Sequence, residues 1–154
     1  AKTGEEILTP KTWRFTTGKD AAKALNINQE KNITPVFFAT NKKDNSDMFY
    51  YVIKEKLENP LTKKSIQTIL KSTVESEKKN GVNIEVIENG VINNDNNKGN
   101  KGQFIIYKVE NIYKFIAYFY PNPKELITFT SYLNEKVYDN NIALLKYIAL
   151  KNKY

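Results

Sequence analysis

The chain has 154 residues, no cysteine, no histidine and a net charge of +7. Disulfides, thiolate and histidine metal sites, thiol nucleophiles and histidine-based triads are excluded together. Hydrophobic residues make up 40% and aromatics 12%, a globular composition with enough apolar surface for one domain to fold without a covalent staple.

In chain order, residues 1–10 are polar and read as a loose N-terminal segment ahead of a single domain over 11–154. Ala1 stands first in place of Met, so a preceding segment is expected, and a secretion signal or a lipid-anchor cysteine fits there. Trp13–Arg14–Phe15 reads as a short strand, with the lone Trp as a core residue. Gly18 breaks that strand, and Lys19–Leu25 suits a short helix. Thr34–Thr40 reads as a buried strand. Asp47–Leu57 follows as a strand that is apolar on both faces from Met48 to Ile53.

Pro60 opens a helical segment with Thr62 as its N-cap. Ile66, Ile69, Leu70, Thr73 and Val74 recur at the helical period, so one face packs on a sheet. Asn80–Gly81 ends the helix. Val82, Ile84 and Val86 alternate with Asn83 and Glu85, the pattern of a strand with one wet face. Asn93–Gly102 is low in complexity and reads as a mobile loop.

Three apolar runs follow with almost no linker: Gln103–Val109, Tyr113–Tyr120 and Leu126–Leu133. The joins Glu110–Asn111 and Pro121–Asn122–Pro123 are short, which makes these strands antiparallel neighbours. Val137, Leu144, Leu145 and Ile148 mark the inner face of a closing helix. The order is β-α-β-β-α-β-β-β-β-α. Hairpins outnumber crossovers, so the fold class is α+β, a mostly antiparallel sheet sandwiched between helices.

Candidate chemistry is sparse. Glu85, Glu88 and Asp95 offer carboxylates near the loop, but a solvated strand face explains them. Asp95, Asn97 and Gly99 imitate a calcium loop, yet the twelfth position is Ile106 and the glycine is misplaced. No Walker loop, dinucleotide fingerprint or nucleophile elbow is present. No catalytic, cofactor-binding or metal-binding residue is assigned.

Lys64, Lys71 and Lys78 recur every seven residues, one stripe of a helix opposite Ile66 and Leu70. Lys42–Lys43 and Lys79 extend the basic surface. Such a stripe attracts acidic protein, anionic lipid or nucleic acid, although an ordinary solvated face neutralised in part by Glu75 has the same pattern. The basic residues are 23 Lys and one Arg, beside 20 Asn and 16 Ile. These are residues of AT-rich codons, and lysine in place of arginine disfavours bidentate phosphate or base recognition. Nine aromatics lie between Phe104 and Tyr132. Core packing accounts for most of them, while Tyr118 and Tyr120 remain candidates for a partner surface. Asn32–Ile33–Thr34 is a glycosylation sequon of the kind an Asn-rich chain produces by chance.

The element order and texture resemble the PsbP-like fold family. That family includes lumenal extrinsic proteins of photosystem II, a Ran-binding nuclear import factor, and bacterial DcrB-type envelope proteins and type VI effector chaperones. The matching stretches are Trp13–Arg14–Phe15, TPVFFATN followed by DMFYYVIKE, PLTKKSIQTILKSTVES leading to NIEVIENG, the Gly102-led hairpin with KELITFTSYLNE, and the closing helix. They run from Trp13 to Leu150. The resemblance implies an α/β/α sandwich without enzyme activity, in a family whose members mainly bind proteins, and it carries no site residues over.

The expected function is therefore a non-enzymatic accessory or protein-binding module, without cofactor. Its expected place is extracytoplasmic, at a bacterial envelope as a periplasmic or lipoprotein-derived protein, with peripheral or lipid-anchored membrane association. Two alternatives stay open. One is a cytoplasmic adaptor or chaperone holding an apolar client segment. The other, less favoured, is single-stranded nucleic-acid binding through lysines and aromatics.

Overall fold

The computed structural model describes residues 13–25, 33–41, 48–60, 62–94, 100–122 and 124–151. The expected loose segment over 1–10, Lys42–Lys43, the Asp95 to Gly99 stretch and Asn32 of the sequon lie outside the described residues. The elements are β1 (Trp13–Thr17), α1 (Gly18–Leu25), β2 (Ile33–Asn41), β3 (Met48–Lys56), α2 (Lys63–Lys79), β4 (Ile84–Asn94), β5 (Asn100–Val109), β6 (Ile112–Asn122), β7 (Glu125–Asn134) and α3 (Glu135–Lys151). Their order is the one the sequence predicts.

All strands join one seven-stranded antiparallel sheet in the order β1-β2-β3-β7-β6-β5-β4. The three C-terminal runs pair as expected, and β7 then closes against β3. That non-local pairing sends β4 to one edge of the sheet and β1 to the other. At the Glu110–Asn111 turn, Glu110 takes the left-handed backbone with φ 56°, which matches the tight two-residue hairpin. Pro35 sits beside a register shift in β2, beyond the last residue paired with β1, the kind of irregular strand position where proline is tolerated.

The strands bury side chains on both faces because each face has its own helix. On one face, α3 packs Leu145, Ile148 and Ala149 onto Tyr50, Val52, Phe115, Phe119, Ile127 and Phe129. Trp13 belongs to this core, as expected for the only Trp. On the other face, α2 packs Ile66, Leu70 and Val74 onto Ile105, Tyr107, Ile116, Tyr118 and Leu126. Helix α1 packs against β1 and β2 with Ala21 buried.

Two expectations need correction. The Asn93–Gly102 stretch is not a loop throughout. β4 continues to Asn94 and β5 begins at Asn100, with Asn93 opposite Lys101 and Asn94 opposite Asn100. Ladder hydrogen bonds use backbone groups, so pairing overrides the low strand preference of Asn. Leu144 is not an inner residue of α3. It lies exposed, and Ala149 takes its place beside Leu145 and Ile148. Gly18 breaks β1 as expected and is also the first residue of α1, at φ 54°.

Helix α2 starts where its cap predicts. The Ser65 N–H donates to Thr62 Oγ1 at 3.1 Å, and the Thr62 N–H donates to Ser65 Oγ at 3.3 Å. The pair is a capping box with Ser in the usual Glu position. Thr62→Ala removes one acceptor and is expected to cost about 1 kcal/mol in a urea melt. A loss below about 0.3 kcal/mol would mean water replaces the cap.

The Ser131 hydroxyl is fully buried on the α3 face and has no hydrogen-bond partner among the described residues. An unsatisfied buried hydroxyl destabilises the fold. Ser131→Ala is therefore expected to raise stability by about 1 kcal/mol, read as a higher denaturant midpoint.

Candidate functional site

Among the described residues, no strand pairs with the outer edge of β4. Val86, Ile87 and Val91 are 43%, 40% and 57% exposed, an unusual apolar run on an edge strand. The strand register explains how they come to lie together. Val86 pairs with Tyr107, Asn89 with Ile105 and Val91 with Gln103, which places all three on the α2 face. Ile87 is the extra residue at a shift in register between Val86 and Glu88, a bulge that lets two consecutive apolar residues face solvent.

Between α2 and this edge runs an open trough of about 420 Å³. Its apolar lining is Leu70, Val74, Val86 and Val91. Lys71 and Lys78 stand on its helical wall, with Glu75 between them. Among the described residues, none of these three makes an ion pair. A second depression, of about 400 Å³, lies on the opposite face of the same strand between β4 and α3. Glu88, Ile92, Phe104 and Leu150 line it. There Lys146 Nζ donates to Glu88 Oε2 at 2.7 Å, so that face is neutralised internally.

A polar network sits under α2, away from the trough. Tyr107 Oη and Lys114 Nζ both donate to Glu77 Oε1, at 3.1 and 2.7 Å. Lys114 Nζ also lies 5.7 Å from the ring centroid of Tyr107 and 5.2 Å from that of Tyr132. Burial, then the charge of Glu77, pushes the Tyr107 phenol upward. Burial, helped by Tyr132, pushes Tyr51 up to about 12. Burial also raises Tyr118 and Tyr132, against hydrogen bonds from Thr73 and Tyr51 respectively. These phenols are held neutral and Glu77 is already engaged by two donors. The cluster therefore ties α2 to the sheet and presents no activated acid or nucleophile.

This network makes stability sensitive to alkali. Free phenols ionise near pH 10. The folded chain keeps these protons to higher pH, so above about pH 10 the unfolded state binds fewer protons and stability falls as pH rises. The expected result is a tyrosine contribution that does not vary between about pH 7 and 9 and a decline in stability beginning near pH 10. Phenolate absorbance for the buried group should appear together with loss of ellipticity. Ionisation of all ten tyrosines near pH 10 with the fold intact would contradict the network.

The structure treats the sequence-predicted surface residues differently. Lys64, Lys71 and Lys78 are exposed on α2. Lys71 and Lys78 line the trough beside Leu70, at the margin of the apolar face and not opposite it. Tyr118 is not a surface residue: it is buried beneath α2, because it shares a face with Ile105, Tyr107 and Ile116. Tyr120 is half-buried and packs against the same core. Glu85 is exposed, Glu88 is paired, and among the described residues no group of three acidic side chains converges. Val86, Ile87 and Val91 are absent from the sequence-derived site. The adjacent apolar pair Val86–Ile87, which breaks the alternation, was the available signal.

Among the described residues, no helix is long and apolar enough to cross a membrane. No family model matches the chain, and no curated protein matches it by sequence. Among solved structures, the solution structure of cyanobacterial PsbP from Synechocystis sp. PCC 6803 superposes with a TM-score of 0.66 at 18% identity, over 99% of this chain and 87% of that one. At that identity the likeness is one of fold, and the chain has a PsbP-like α+β fold.

Proposed function

We propose that this chain is a non-enzymatic accessory protein that works by binding another protein. The observation that carries the proposal is the exposed Val86–Ile87–Val91 run beside a lysine-lined trough. Exposed apolar surface rimmed by charge is the signature of a docking site. The buried phenols of Tyr107 and Tyr118, by contrast, are committed to packing. The PsbP-like resemblance supports the same reading, since it implies protein binding without catalysis. Residues 11–154 act in this reading as one folding unit.

The proposed setting is the bacterial envelope, as a DcrB-type periplasmic or lipid-anchored protein. A cytoplasmic adaptor holding an apolar client would use the same trough. The residues encoded before Ala1 separate the two, because a signal sequence or lipid-anchor cysteine supports the envelope and a plain Met the cytoplasm. Nucleic-acid binding through the β5–β7 aromatics is disfavoured, because a stacking platform needs exposed rings and Tyr107, Phe115, Tyr118, Phe119 and Phe129 are buried.

In-cell crosslinking followed by purification tests the proposal. The expected result is a defined protein partner at near-stoichiometric yield and no turnover in a hydrolase and transferase substrate screen. Turnover without a partner would overturn it. Single-stranded DNA binding at about 50 mM salt that collapses at higher salt would favour the nucleic-acid alternative.

A further inference from the structure

We infer that the partner is received as an extended acidic segment, added as an eighth strand to the edge of β4 that no described strand pairs with; the inference rests on the protein-binding reading above. β4 is the last strand of the sheet, spans 11 residues and contains neither Pro nor Lys. Edge strands normally carry such residues to prevent pairing. The devices β4 does carry, Glu85, Glu88 and the bulge at Ile87, lie in its first half, and Glu88 to Asn94 pairs with β5 in regular register.

The two depressions decide between an added helix and an added strand. They flank the same strand on opposite faces of the sheet, with Val91 and Phe104 lining both. A docked helix would occupy one of them. An added strand alternates its side chains between the faces and fills both, while its backbone satisfies the outward groups of β4.

Charge decides what kind of strand fits. On the α2 face the incoming side chains meet Lys71 and Lys78 against one acid, Glu75. Lys64 continues the stripe two turns further along the helix. On the α3 face they meet apolar Ile92 and Leu150 and the paired Lys146 and Glu88. The complement is an alternation of acidic and apolar residues, acids toward α2. A second copy of this chain does not supply it. Antiparallel edge-to-edge pairing of two β4 strands, about a two-fold axis normal to the sheet, puts both α2 helices on one face, with lysine stripes facing each other. β4 itself offers Val86, Asn89 and Val91 to that face, and its acids Glu85 and Glu88 point the other way.

The test uses the whole chain and a fluorescein-labelled nonapeptide of alternating Glu and Val. Anisotropy at about 50 mM salt is expected to show saturable binding. The binding should weaken by about tenfold or more in each of three arms. One arm is an alternating Lys and Val peptide. Another is the Glu peptide N-methylated along one backbone edge. The last is the double variant Lys71→Glu, Lys78→Glu, whose substitutions are exposed and leave the core untouched. Amide shifts on binding should cluster in β4 and the facing side of α2.

Equal affinity for the basic peptide, insensitivity to N-methylation, or amide shifts away from β4 would overturn the inference. So would a dimer whose β4 amide shifts vanish on dilution. Uptake by phosphatidylglycerol vesicles that the double variant abolishes, without binding of the acidic peptide, would assign the stripe to a membrane instead. A crosslinked partner still captured by the double variant would sink this site and leave the protein-binding reading standing.

Discussion

Phe129→Ala is expected to cost about 4 kcal/mol. Phe129 is fully buried on β7, the central strand of the sheet. Its ring stacks on Tyr50 at 5.1 Å and lies 5.8 Å from Phe115. Those contacts tie β3, β7 and β6 together on the face that α3 covers. Truncation removes the transfer energy of the ring and leaves a cavity that rigid strands on both sides cannot close. A urea melt monitored by ellipticity measures the loss, with a lowered midpoint and an unchanged slope. A cost under about 1.5 kcal/mol would mean the core collapses around the site, which the paired neighbours Val52 and Ala117 should prevent.

The same packing explains what could be read from the chain and what could not. Helix α2 was legible because Thr62, Ile66, Leu70 and Val74 carry cap and period in one short stretch. The β5–β6–β7 meander was legible because its joins are too short for anything but hairpins. Which face each aromatic occupies was not legible. Phe115 to Phe119 is buried on both faces, so alternation carries no sign there. Tyr118 was open to assignment on either side until α2 was placed over it.

The edge position of β4 was hidden for a different reason. It follows from β3 pairing with β7, a contact between segments far apart in the chain, and no local pattern encodes it. The trough inherits that non-locality. Its lysines were visible as a periodic stripe, but their apolar companions Val86, Ile87 and Val91 became a surface only once β4 had no outer neighbour.

Gly102→Ala is expected to cost about 3 kcal/mol although it adds a single methyl group. Gly102 lies within β5, opposite Phe119 on β6 and Ile92 on β4. A Cβ there would stand 2.5 Å from the Tyr118 carbonyl oxygen and 2.7 Å from Phe119 Cδ1. Neither neighbour yields easily. The carbonyl is main chain of a central strand, and the Phe119 ring is fully buried. The added methyl must therefore spread β5 from β6 or drive Phe119 out of its rotamer. Gly90 provides the internal control. A Cβ at Gly90 would meet Phe104 Cε1 at 3.4 Å, an ordinary contact with a half-buried ring. Gly90→Ala also removes the entropic penalty of glycine in a strand, so its expected effect lies within about 0.5 kcal/mol of zero. Midpoints from denaturant melts of the two variants should thus differ by more than 2 kcal/mol in stability on this estimate, although both add one methyl to adjacent strands. Equal losses would mean that β5 and β6 are further apart at Tyr118 than the close approach of Gly102 requires, and that Gly102 is glycine for a reason other than space.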